Sequence, residues 1–202
     1  MRIVLGITGA SGACYARRIL DVAVRAREGT LPGLEAAADV SVHWVASANA
    51  AEVWRTELGE AMPEDFGPGT RRWSNDDFFA PFASGSNAPD AVIVAPCSMS
   101  TLARIAHGGG SGLIDRACEV ALKERRRLVL LVREAPVSLV HLRNMTAATE
   151  AGAVILPATP AFYGRVRTLE DAVDTVVSRV FDLIGLPLPL CPRWNEEAYA
   201  CP

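Results

Sequence analysis

Two short runs, Ala91-Val92-Ile93-Val94-Ala95 and Leu128-Val129-Leu130-Leu131-Val132, are apolar at every position and rich in β-branched residues. A strand wetted on one face alternates apolar and polar residues. A run without alternation belongs to a sheet covered on both faces, which means parallel strands flanked by helices. Each run stops at polar residues, the first at Pro96-Cys97-Ser98-Met99-Ser100-Thr101 and the second at Arg133-Glu134-Ala135-Pro136. Ligands of open α/β sheets sit in the crevice beyond the strand carboxyl ends, so these hydroxyls and the Arg-Glu pair are candidate site residues.

The rest of the chain alternates in the same manner. Further strands are predicted at 2–7, 40–45 and 153–156, and helices from Gly12 to about Arg27 and at 48–57, 98–107, 114–127, 138–151 and 168–184. Strand-helix alternation gives a three-layer, doubly wound α/β domain, flavodoxin-like or Rossmann-like, over residues 1–184. The Pro-rich segment 185–202 suits an arm laid on a neighbouring subunit. Residues 59–70 and the stretch from Trp73 to Ser86 read as irregular chain. That stretch either tucks aromatics under the sheet or walls a site, with Ser84-Gly85-Ser86 as donors. The run 108–112, Gly-Gly-Gly-Ser-Gly, is a flexible joint or a mobile cover.

Bulk properties narrow the function. Half of the 202 residues are apolar, enough for one substantial core. Twenty basic against 23 acidic residues leave a net charge of -3 with no block of like charge, which disfavours nucleic acid or an anionic membrane as the main ligand. The start runs straight into a strand, and no apolar run reaches membrane-spanning length, so a soluble cytoplasmic protein is expected. The five cysteines are scattered with no C-x-x-C pair, which signals neither a zinc site nor a disulfide frame.

After the first strand, Thr8-Gly9-Ala10-Ser11-Gly12 is either a plain tight turn or an anion cradle of free amides with the Ser11 hydroxyl. Strand two closes on Ala46-Ser47 without the acidic residue that holds a dinucleotide ribose, so a mononucleotide fits better. Helix 114–127 carries Arg116 and Lys123 two turns apart, with Glu119 between them. That pattern is a solvated ion-pair ladder or half of an anion site.

Six motifs in order, Gly6-Ile7-Thr8-Gly9-Ala10-Ser11-Gly12, Ala95-Pro96-Cys97-Ser98, Arg116-Ala117 through Leu122-Lys123-Glu124-Arg125-Arg126, Arg133-Glu134-Ala135-Pro136, His141-Leu142 and Pro160-Ala161-Phe162-Tyr163, strongly resemble the UbiX-type flavin prenyltransferases. The resemblance implies that the chain joins a dimethylallyl group from dimethylallyl phosphate to N5 and C6 of reduced FMN, without a metal. The prenylated flavin would serve UbiD-type decarboxylases, and the assembly would be a homododecamer. FMN would lie against Gly9, Ala10, Ser11, Ser47, Ser98, Met99, Ser100, Thr101 and Arg133. Arg116, Lys123, Glu134, Tyr163 and Arg179 would grip the prenyl phosphate, with Phe78 and Trp194 against the prenyl group. Ser11, Glu134 and Glu57 would be catalytic, although Glu57 also reads as a surface acid at a helix end. Two departures stand out: Gly110-Ser111-Gly112 replaces an acidic or amide pair, and Arg143 replaces a common Glu. Two alternatives remain at this stage: an FMN-dependent decarboxylase of cysteine peptides or phosphopantothenoylcysteine, and a non-catalytic FMN-binding subunit of an aromatic acid decarboxylase.

Overall fold

A computed structural model describes residues 1–32, 39–163 and 166–195. Six strands, β1 (Arg2–Ile7), β2 (Ser41–Ala46), β3 (Thr70–Trp73), β4 (Ala91–Cys97), β5 (Arg127–Val132) and β6 (Val154–Pro157), form one sheet in the order β3-β2-β1-β4-β5-β6. Every adjacent pair is parallel. The helices are α1 (Ala13–Glu28), α2 (Ala50–Leu58), α3 (Met99–His107), α4 (Leu113–Lys123), α5 (Leu139–Ala151) and α6 (Leu169–Ile184).

Alternate side chains of the central strands feed two separate cores. Ile3, Leu5, Ile7, Ile93, Val129 and Leu131 point to one face, where they pack with α1, α2 and α6. Val4, Val92, Val94, Leu128 and Leu130 point to the other, beneath α3, α4 and α5. All seven residues of β4 are buried, which is why its sequence shows no polar alternation. The strand order reverses direction between β1 and β4, the point where such sheets open a ligand crevice.

Two expected boundaries are corrected. The segment read as irregular around 70–73 is the edge strand β3, which among the described residues pairs only with β2. Four residues with a neighbour on one side need no apolar run, so the periodic signal is missing. The helix predicted to Arg127 ends at Lys123, and Arg127 opens β5. Apolar spacing stops at Leu122, and the chain reverses through Arg125, whose φ is +55°. The hydroxyls at 98, 138 and 168 lie just outside their helices as caps: Ser98, Ser138 and Thr168 accept amide hydrogen bonds from Thr101, His141 and Asp171. Among the described residues no helix is long and apolar enough to cross a membrane. Leu188 of the Pro-rich segment is buried in its own chain's core, and Arg193 pairs with Asp182. Residues 196–202 lie outside the described residues.

Candidate active site

The carboxyl ends of four strands are tied together by short polar links. Thr8, just past β1, donates its hydroxyl to the Pro96 carbonyl (2.6 Å) and accepts from the Ser98 amide (3.0 Å), joining the β1 and β4 turns. The Ser47 amide donates to the Ile7 carbonyl at 2.9 Å, which brings in the end of β2. The Arg133 Nε donates to the Ser11 carbonyl at 3.1 Å, which brings in β5. Gly9, Ala10, Ser11, Ser47, Ser98 and Arg133 therefore stand along one sheet edge. The backbone at Gly9 runs close to α2: a Cβ there would lie 2.8 Å from the Asn49 Cβ.

The first-turn amides of α1, expected to be free for an outside anion, are already taken. Glu57, at the end of α2, accepts from the Gly12 amide (2.9 Å) and the Ala13 amide (2.8 Å). Burial pushes the Glu57 carboxyl up, but the Ser11 hydroxyl, these two amides and the nearby Arg133 guanidinium outweigh it and hold its pKa below the ordinary value. The carboxylate thus fills the positive end of α1 and fixes Ser11 from behind. Glu57→Ala is expected to cost about 1 kcal/mol of stability, as for other lost helix caps. Because the folded-state pKa is depressed, the Glu57 contribution is present above the ordinary value of 4.5 and is lost as pH falls through the folded value. Urea midpoints of wild type should therefore converge on those of Glu57→Ala on acidification, and a gap that stays constant in acid would refute the linkage.

The α3 terminus, by contrast, keeps two first-turn amides open beside the Ser98 cap. Ser98 and Thr101 bond each other through their hydroxyls (3.0 Å), and the amides of Met99 and Ser100 belong to a first helical turn that has no intrahelical acceptor for them. Behind the turn, Arg104 donates to Thr101 Oγ1 (3.1 Å) and to the buried Asp115 (2.9 Å). The turn gathers amides, hydroxyls and the positive end of a helix dipole, features that favour an anion, with the Arg104–Asp115 pair one layer back.

The proposed prenyl-phosphate residues fall into two groups. Arg116 and Lys123 lie on α4, where Arg116 Nε donates to the Ala83 carbonyl (2.9 Å) and Lys123 pairs with Glu124. Tyr163, Arg179 and Trp194 lie on the opposite face of the sheet, around a cavity of about 360 Å³ beside α6. There the Tyr163 and Trp194 rings meet edge to face, and Arg179 pairs with Asp182 (2.7 Å). Within one chain the sheet separates these groups. Glu134 stands at the β5 end with its carboxylate accepting from the Ala135 amide (3.1 Å). Phe78 is half exposed in the loop after β3.

The Flavoprotein family model matches residues 1–181. The flavin prenyltransferase UbiX of Methanocaldococcus jannaschii is 42% identical over 195 residues, 96% of this chain and 99% of the relative. The chain belongs to the UbiX flavin prenyltransferase family. AnUbiX, crystallised with FMN and dimethylallyl pyrophosphate, superposes with a TM-score of 0.84 at 40% identity, covering 96% of this chain and 97% of the other. A dodecameric FMN-dependent UbiX-like decarboxylase from Escherichia coli O157:H7 gives 0.82 at 38% identity, covering 96% and 98%.

In this UbiX-family chain the three histidines take hydrogen-bond partners other than the turn residues Thr8, Ser11, Ser98 and Arg133. His43 accepts from Trp73 Nε1 inside the sheet (2.9 Å), His107 bonds Asn144 (3.1 Å), and His141 accepts from the Ser138 amide (3.2 Å). Sequence reading missed Thr8 as the clasp between β1 and β4, and missed the pairing of Arg104 with Asp115. Thr8 was visible inside the glycine-rich turn. The Arg104–Asp115 pair spans two helices and left no local signal.

Proposed function

We propose that this chain transfers the dimethylallyl group of dimethylallyl phosphate to N5 and C6 of reduced FMN. The observation that carries this reading is the joined edge of β1, β2, β4 and β5, where the open α3 terminus suits one phosphate and Ser11 stands beside it. FMN would be held through its phosphate by Ser47, Ser98 and the amides of Met99 and Ser100, with Thr101 supporting Ser98. Gly9, Ala10 and Arg133 would flank the ring. Reduced FMN supplies the nucleophilic nitrogen and carbon that take up the prenyl group.

The residues follow from where charge moves. Breaking the allylic carbon-oxygen bond leaves positive character on the dimethylallyl carbons and negative charge on the departing phosphate. Arg116, Lys123, Arg179 and the Tyr163 hydroxyl stabilise that phosphate, while the faces of Phe78 and Trp194 stabilise the allylic cation. Ser11 would hydrogen-bond near N5, Glu57 holds Ser11 in place, and Glu134 would pass a proton between flavin and phosphate. Because the sheet divides Arg116 and Lys123 from Tyr163 and Arg179, the two half-sites come from different copies of the chain. The dodecameric relative supports such an assembly. Exposed Leu139, Val140 and Leu142 on α5 and exposed Phe162 beside Tyr163 offer apolar surface for it. The protein works in the cytoplasm, and its product is consumed by a UbiD-type decarboxylase.

The test is direct. Under anaerobic conditions the protein, reduced FMN and dimethylallyl phosphate should yield a released flavin heavier by one prenyl unit. Unchanged flavin with turnover of a cysteine peptide would overturn the reading in favour of a decarboxylase. Unchanged flavin with neither activity would leave only an FMN-binding subunit.

A further inference from the structure

Helix α4, which carries Arg116 and Lys123, starts after Gly112, a residue with no side chain to cap it. The cap comes instead from Asn75, 39 positions before Ile114. Its side-chain oxygen accepts from the Ile114 amide at 3.1 Å, and its main-chain carbonyl accepts from the Leu113 amide at 2.7 Å. One residue of the loop after β3 thus satisfies the first two amides of the helix. Gly112 makes the approach possible. Its backbone is extended, at φ -134° and ψ 170°, so most residues could adopt it. A Cβ there would nevertheless lie 2.8 Å from Asn75 Cγ.

The loop that Asn75 opens then runs down α4. Arg116 holds it again through the Ala83 carbonyl, and Gly85 packs against Lys123 and Glu124 so closely that a Cβ would collide with both. Phe78 lies between the first and second of these attachments. The loop is thus attached to the helix at three places, which links the segment bearing Phe78 to the helix bearing two cations.

We propose that Asn75 is a positioning residue for the prenyl-phosphate half-site: its cap on α4 sets the distance between Phe78 and Arg116. The inference rests on the proposed roles of Phe78 and Arg116 toward a prenyl phosphate.

Three variants separate positioning from plain stability. Asn75→Ala removes the side-chain half of the tether, leaving the main-chain bond to Leu113, and should raise KM for dimethylallyl phosphate about tenfold while leaving FMN affinity within about twofold. Asn75→Asp can accept the same amide, carries a charge favoured at a helix N-terminus, and should restore KM. Asn75→Ala combined with Gly112→Asn gives α4 a local cap without the side-chain tether; its melting temperature should recover while KM stays high. Should the single alanine variant fail to fold, the double variant carries the same test. KM unchanged in Asn75→Ala, or recovering together with stability in the double variant, would overturn the proposal. Amide exchange over residues 74–80 in the flavin-free protein reads the tether without any activity. It should quicken in both alanine variants, and unchanged exchange would overturn the tether even where prenyl transfer holds. A wild-type protein that prenylates no flavin would instead overturn the reaction assigned to the site, whatever the exchange result.

Discussion

Glu134→Gln is expected to lower the rate of prenyl-FMN formation by about 10²–10⁴-fold, the range spanned by general acid-base groups, with little change in FMN affinity. Glu134 follows directly on Arg133, whose guanidinium reaches the Ser11 carbonyl, so the carboxylate belongs to the same edge as the flavin turn. In the single chain it is exposed and turned onto the Ala135 amide. Glutamine keeps that acceptor and the side-chain shape, and loses only the capacity to bind and release a proton. The effect should therefore fall on kcat rather than KM. Pre-steady-state mixing of reduced FMN with dimethylallyl phosphate measures it, and an unaltered rate would remove Glu134 from the proton path.

The second large effect concerns the divided phosphate site. Arg116→Ala and Arg179→Ala should each reduce prenylation by about 10²–10³-fold, the loss seen when a fixed donor to developing charge is removed. Arg116 packs against the Ala83 carbonyl on one face of the sheet, and Arg179 pairs with Asp182 on the other. If a site takes Arg116 from one copy and Arg179 from another, co-expressing the two variants should rebuild about one site in four with both arginines present. Activity would then rise far above either variant alone. Mixed assemblies that stay at the single-variant level would show that one copy supplies both arginines. The half-site explanation would then be wrong, whatever the reaction.

The parallel sheet was legible because two strands buried on both faces leave an unmistakable apolar run, and because glycine and hydroxyl residues mark the turns that follow. Ser98, Ser138 and Thr168 announced their helices in advance, since capping is a local interaction between neighbours in sequence. Edge strand β3 was not legible, because pairing on one side demands little of its side chains. Nor could sequence spacing assign the anion at α1: a helix terminus attracts any carboxylate, and only the packing of α2 against α1 brings Glu57 there.

The sequence by itself determined the strand-helix alternation, the family motifs and the residue types that this chemistry needs, because each of these is written in local periodicity or in contiguous residues. Tertiary structure alone decided which of those residues meet. Thr8 reaches Ser98 and Asn75 reaches Ile114 across long stretches of chain. Arg116 and Arg179, grouped by the family resemblance around one phosphate, stand on opposite faces because the helices that carry them pack on opposite sides of the sheet. Contacts between residues far apart in the chain depend on how layers stack, and no local pattern records that stacking.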